Sequence, residues 1–158
     1  MTQKPEQREH RRSQSVTMSW DSYIDSLMAE GDVEDAAIVG CESGQESVWA
    51  ASKGGLFATI TQAETRALIS KDRSGLFAGG CTIAGMKCTV LRDALNSDGQ
   101  NTMDIRTKAS DKMPDTYCIC VGKSHKGLVF LRGRKDTHGG KLNSKIFPII
   151  EHLRKSGY

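Results

Sequence analysis

No apolar run in this sequence approaches the ~20 residues that a membrane-spanning helix needs. Residues 1–17 are polar and basic, without the apolar centre of a secretory leader. The five cysteines are odd in number and lack the spacing of a disulfide framework. Together these absences point to reduced thiols in a cytosolic protein. Gly-x-Ser-x-Gly and His-Glu-x-x-His are missing, and the glycine-dense stretch 75–85 is not followed by Gly-Lys-Ser/Thr. The motif-borne hydrolase, zinc-peptidase and phosphate-loop readings therefore fall away. Aromatic residues make up 6% of the chain and few accompany its basic stretches, so single-stranded nucleic acid would find little to stack on.

What remains is a chain of 158 residues, 37% hydrophobic and 26% charged, which suits one soluble domain with one core. The net charge of +3 conceals a division. Residues 18–85 hold 4 basic and 10 acidic side chains, whereas residues 86–158 hold 14 basic and 7 acidic ones. A basic second half suits an acidic partner: a protein, an anionic lipid head group or nucleic acid. Residues 1–17 offer almost nothing to bury, so a disordered basic tail is expected there and a domain over 18–158.

The densest local pattern lies near the start. Trp20, Tyr23, Ile24, Leu27 and Met28 recur at i, i+3, i+4, i+7 and i+8, one face of a helix. Ser19 is a fitting N-cap, Asp21 suits the positive end of the dipole, and Gly31 is a stop. Pattern alone leaves open whether Trp20 and Tyr23 are simply buried or stand at an edge as a platform for a proline-rich ligand.

Further along, Ala36–Cys41 and Ser47–Ser52 read as paired strands around a polar hairpin loop, 42–46. Thr61 and Glu64 form a capping box ahead of a helix whose expected inner face carries Ala63, Ala67 and Leu68. Gly79-Gly80 reads as a hairpin turn between strands at 76–78 and 81–84. Strands follow at 86–96, 102–108, around 117–121 and at 127–133. A bulge near Val90–Arg92 would bring Arg92 onto the face of Lys87 and Thr89. The last stretch, 141–156, is a helix with an apolar stripe of Leu142, Ile146, Ile149, Ile150 and Leu153. Pro148 either kinks that helix or marks where its regular part begins. Short turns between successive strands imply an antiparallel sheet. The two terminal helices must share one hydrophobic face of it, with short helices on the other, in a single α+β domain.

Cys118 and Cys120 alternate onto one strand face, and His138 and His152 are available, so a Cys/His thiol enzyme or metal site is conceivable. Cys-x-Cys without a second close pair is a poor zinc signature, and no nucleophile elbow accompanies His138-Gly139-Gly140. The expectation is no enzyme, no metal and no cofactor.

Ser-Trp-Asp-x-Tyr-Ile-Asp at 19–25 resembles the opening signature of the profilins. The resemblance continues through Asp35–Gly40, Val48–Ala51, Lys71–Ser74, Lys87-Cys88, Val90–Asp93, Met103–Lys108, His138–Gly140 and His152–Tyr158, the last of vertebrate type. It implies the profilin fold and a cytoplasmic, cytoskeletal protein that binds monomeric actin, proline-rich proteins and phosphoinositide lipids at the membrane surface, and speeds nucleotide exchange on actin. Nucleic acid is not among the implied partners.

By this resemblance the proline-rich site comprises Trp20, Tyr23, Trp49, Ala51, His152, Leu153, Ser156 and Tyr158. The implied actin face comprises Lys87, Thr89, Arg92, Arg106, Lys108, Thr116, His138, Gly140, Asn143 and Phe147. It departs from the family pattern at Gln100, Cys118, Ser144 and Pro148, where an acid, an amide, a lysine and a glutamate are expected. Phosphoinositide binding is assigned to Arg92, Arg106, Lys108, Arg154 and Lys155. The alternative function is a proline-rich-motif adaptor with weak or no actin binding.

Overall fold

The computed structural model describes residues 19–29 and 31–158; the tail expected over 1–17 lies outside the described residues. Helix α1, Trp20–Met28, begins where Ser19 predicts, with the Ser19 hydroxyl accepting from the Ser22 amide at 3.2 Å. Strands β1 (Val33–Gly40) and β2 (Val48–Ala51) pair antiparallel, and a 3₁₀ turn spans Phe57–Thr59. Helix α2, Gln62–Ile69, carries the expected capping box: Glu64 N–H donates to Thr61 Oγ1 at 3.1 Å and Thr61 N–H donates to Glu64 Oε1 at 2.9 Å. Its buried stripe is Thr65 and Leu68, whereas Ala63 and Ala67 face solvent, a correction to the expected inner face.

A second correction follows directly. Ser74–Gly79 is a short helix, α3, and not a strand. Asp72 Oδ1 accepts from both the amide and the hydroxyl of Ser74, and Gly80 (φ +73°) returns its N–H to the Leu76 carbonyl at 2.8 Å. The glycine pair therefore ends a helix instead of turning a hairpin. The hairpin turn is Ala84-Gly85, both at positive φ, between β3 (Cys81–Ile83) and β4 (Met86–Ala94).

Strands β5 (Thr102–Thr107), β6 (Cys118–Lys123) and β7 (Gly127–Gly133) complete a seven-stranded sheet of order β2-β1-β7-β6-β5-β4-β3, antiparallel throughout. The register of β4 against β5 shifts between Val90 and Arg92, as the sequence predicts. The closing helix, α4, runs Gly139–Lys155 without restarting at Pro148, which excludes the second of the two proline readings. Pro148 is exposed, so the Ser144 carbonyl that loses its partner is on the solvent side, where water can serve it.

The sheet separates two apolar layers. Ile24 and Leu27 of α1 and Leu142, Ile146, Ile150 and Leu153 of α4 cover one face together. Phe57, Leu68 and Leu76, from the 3₁₀ turn, α2 and α3, cover the other. The expected α+β architecture is thus present, with both terminal helices on one face. Among the described residues no helix is long and apolar enough to cross a membrane.

Candidate functional site

The two ends of the domain meet in one aromatic cluster. The Trp20 ring centroid lies 5.5 Å from that of Tyr23, 4.9 Å from Trp49 and 5.2 Å from Tyr158, the last contact edge-on. Tyr23 in turn stands 6.2 Å from the His152 ring. Trp20, Tyr23 and Trp49 are half-buried, while His152 and Tyr158 are exposed, so the cluster is a surface and not a core. Burial first, then the neighbouring Tyr158, pushes the Tyr23 phenol above its ordinary pKa, which keeps its O–H a donor.

Each ring has a local cause for its position. Trp20 and Tyr23 share a face of α1 by their i, i+3 spacing. Trp49 sits at a bulge: Val39 pairs with Val48 and Ile38 with Ala50, leaving Trp49 as the extra residue. Its indole lies close over β1 and β7, since a methyl at Gly127 would stand 3.1 Å from Cζ3 and one at Gly40 2.9 Å from Nε1. Tyr158 is placed by the end of α4. Gly157 (φ +91°) donates to the Arg154 carbonyl at 3.2 Å and Tyr158 N–H to the Leu153 carbonyl at 2.8 Å, a Schellman ending that folds the last ring back onto Trp20. The Lys126 amide donates to the Tyr158 carbonyl, and Lys126 Nζ stands 5.6 Å from the ring centroid.

Of the remaining residues assigned to this site, Leu153 is buried beneath it and Ser156 is the exposed C-cap of α4. Ala51 is not brought together with the rings; it packs against the apolar layer on the opposite sheet face. Sequence reasoning missed Gly127, Gly157 and Lys126. Of these, Gly157 carried a readable signal, a glycine one residue beyond the end of a helical stripe.

The second assigned surface lies on β4, β5 and α4. The bulge leaves Leu91 unpaired and sets Thr89 opposite Arg106 and Arg92 opposite Asp104, so these four share a face. Arg92 Nε donates to Asp104 Oδ2 at 2.7 Å and Nη2 to Thr102 Oγ1 at 2.7 Å. Arg106 Nε donates to Thr116 Oγ1 at 2.9 Å and Nη1 to Cys118 Sγ at 3.1 Å. Arg92, Gln100, Gly140, Asn143 and Phe147 line a cleft of about 360 Å³. Lys87 and Lys108 border a larger apolar cleft of about 620 Å³ with Met86 and Met113. His138 is the exposed N-cap residue of α4.

Arg154 and Lys155 line a third depression, of about 330 Å³, which shares Gln100 and Phe147 with the Arg92 cleft. Asp98 and Glu151 stand in it too, and Arg154 donates twice to the Lys123 carbonyl at 3.0–3.1 Å. Of the five cations assigned to lipid, Arg92, Lys108 and the pair Arg154 and Lys155 line three different depressions and Arg106 lines none of these, while Arg92, Arg106 and Arg154 are engaged by protein acceptors.

Cys118 and Cys120 are both buried under α4, and burial first pushes the Cys120 thiol well up. A thiol held protonated is a poor nucleophile. No group of three potential metal ligands occurs among the described residues.

Fold and site together define a small α+β domain whose terminal helices share one sheet face and carry an aromatic surface between them. The profilin family model matches residues 18–158, and the chain belongs to the profilin family. It is 48% identical to mouse Profilin-1 over 139 residues, which covers 88% of this chain and 98% of that one. It is 46% identical to human Profilin-2 over 140 residues, with the same coverage. Among solved structures, mouse profilin IIa in complex with a double repeat from the FH1 domain of mDia1 superposes with a TM-score of 0.83 at 45% identity. That match covers 88% of this chain and 99% of the other.

Proposed function

We propose that this chain is a cytoplasmic, non-enzymatic regulator of the actin cytoskeleton. It binds monomeric actin through the basic face of β4, β5 and α4, speeds nucleotide exchange on actin, and holds proline-rich partners on the aromatic cluster. Phosphoinositide head groups compete for the cations Arg92, Arg106, Lys108, Arg154 and Lys155. The observation that carries the reading is the contiguous surface of Trp20, Tyr23, Trp49, His152 and Tyr158. Flat rings pack on pyrrolidine faces, indole N–H and phenol O–H groups donate to ligand carbonyls, and a stiff proline helix loses little entropy on docking. Mouse profilin IIa, whose complex holds a double repeat from the FH1 domain of mDia1, supports a ligand of this chemistry.

The chain has two tryptophans, and both belong to this cluster, so selectively excited tryptophan fluorescence reports on the proposed site. A proline-rich peptide is expected to change tryptophan emission saturably, and a glycine-serine peptide of equal length to leave it unchanged. Equal responses to the two peptides would reject the proline-rich site.

For actin, three of the four departures find local partners. Gln100 accepts from Arg92 at 3.4 Å, the Cys118 sulfur accepts from Arg106, and the Ser144 hydroxyl turns back to the Gly140 carbonyl at 2.9 Å. Binding to monomeric actin is expected in the micromolar range and to weaken as salt is raised, because exposed charges are screened over about 10 Å at 0.1 M. A sample that binds the proline-rich peptide but shows no actin binding at low salt would reject the actin half and leave a proline-rich-motif adaptor.

A further inference from the structure

Cys81 and Cys88 stand opposite one another across the β3–β4 hairpin, in register as directly paired residues of an antiparallel ladder. Both belong to the apolar layer covered by α2 and α3. Directly paired residues of such a ladder have Cα atoms about 4.5–5.5 Å apart. A disulfide spans about 4.4–6.8 Å between Cα atoms, so this pairing places the two cysteines within disulfide reach. The two thiols differ in access: Cys88 is buried, whereas Cys81, on the edge strand, is partly exposed.

They also differ in chemistry. The neighbouring Cys88 side chain draws the Cys81 thiol below its ordinary pKa. The Cys81 side chain first, and burial second, pushes the Cys88 thiol up. Cys88 Sγ donates to the Met86 carbonyl at 3.4 Å. The Glu64 carboxylate faces this hairpin and opposes charge on either sulfur, but it is itself held by the Ala84 and Gly85 amides at 2.9 Å. Cys41, Cys118 and Cys120 are buried and not paired with another cysteine across a ladder.

We propose that Cys81 and Cys88 form a redox-modification site, in which a hydroperoxide oxidises Cys81 and Cys88 resolves it to a cross-strand disulfide. The Cys81 thiolate attacks the terminal peroxide oxygen. The O–O bond breaks, the sulfur becomes a sulfenic acid, and the alkoxide or hydroxide leaves with one proton as alcohol or water. The Cys88 sulfur then displaces the hydroxyl of that sulfenic acid, its proton leaving with it as water, and the S–S bond forms. Two thiols are oxidised by two electrons in all, and one peroxide is reduced. A thiol reductant reverses the bond by exchange. Closure ties the three-residue edge strand covalently to β4, one residue beyond Lys87 of the proposed actin face.

The test uses the full chain, treated folded with hydrogen peroxide, alkylated and digested with trypsin without reduction. Cleavage at Lys87 separates the two cysteines, so the disulfide leaves peptides 74–87 and 88–92 joined, about 2 Da below their summed mass. That joined pair, lost on reduction, is the expected result. In Cys88→Ser, a dimedone-trapped sulfenic acid is expected on Cys81. Cys81→Ser, at a partly exposed position, is expected to give neither product. Sulfinic acid on Cys81 without a joined pair, a disulfide through any other cysteine or between two chains, or unreacted Cys81 would each overturn the proposal.

Discussion

Asp35→Ala is expected to lower the free energy of unfolding by about 3–5 kcal/mol. Asp35 is fully buried in β1, yet its carboxylate is completely engaged. Ser52 Oγ donates to Oδ1, and the Leu56 and Phe57 amides donate to Oδ2 at 2.7 and 3.1 Å. Ser52 Oγ accepts in turn from the Ala36 amide at 3.1 Å, so one acid ties β1 to the whole 52–57 segment. Alanine would strand three donors, each costing about 1–3 kcal/mol where water cannot reach it. Against a total stability of about 5–15 kcal/mol, that is a large share. Gly55→Ala tests the same anchor from the other side. Its methyl would stand 2.6 Å from Asp35 Oδ2 and closer still to Oδ1, forcing the carboxylate off its donors. Gly31→Ala, whose methyl would meet nothing within 4 Å, is the control and is expected to be neutral. Urea denaturation decides the matter: the midpoints of Asp35→Ala and Gly55→Ala fall while Gly31→Ala stays near the parent. Midpoints that do not move would show that the 52–57 segment is held elsewhere.

Signals that act through nearest neighbours were legible in the sequence. The Thr61–Glu64 box and the α1 stripe depend on contacts within one turn and came out as read. The bulge at Val90–Arg92 was legible because a charged side chain out of phase in an alternating strand needs an inserted residue to correct it. Other features depend on distant partners. Leu76, Phe77 and Ala78 look strand-like, yet only Leu76 is buried, and Asp72 and Arg73 commit the segment to a helix. Arg73 does so across the fold, donating to both Asp93 oxygens at 2.8–2.9 Å and to the Leu68 and Ser70 carbonyls. Ala84 was not legible as a turn residue, because alanine seldom adopts positive φ without a reason from outside. Here Glu64 of α2 supplies one by accepting from the Ala84 and Gly85 amides. The polar loop 42–46 likewise hides a buried acid. Glu46 receives Arg66 and Gln62 of α2, both at 3.0 Å, and these bonds, Arg66 first, hold its pKa down to about 2.

The aromatic site shows the same division and sets the second large effect. Trp20 and Tyr23 were readable as a pair, but the place of Trp49 depends on a bulge and that of Tyr158 on a Schellman ending. Trp20 touches Tyr23, Trp49 and Tyr158, so it is the keystone of the surface. Trp20→Ala is expected to weaken binding of a proline-rich peptide at least ~30-fold, the loss of about 2 kcal/mol that marks a hot spot. Its half-buried ring belongs to the rim of the layer, so the fold should survive with a lowered denaturation midpoint. Gly157→Ala separates position from stability. No atom crowds a methyl there, but the backbone at φ +91° is strained for alanine, so the last two residues must swing and take Tyr158 away from Trp20. The expected result is a loss of about 3- to 10-fold in peptide affinity, since one edge of the cradle is gone while Trp20, Tyr23 and Trp49 remain. Calorimetric titration of both variants, with circular dichroism to verify folding, is the measurement. Full peptide affinity in a folded Trp20→Ala would mean that the proline-rich ligand sits elsewhere. Full affinity in Gly157→Ala alone would mean that Tyr158 covers the cluster without contributing to binding.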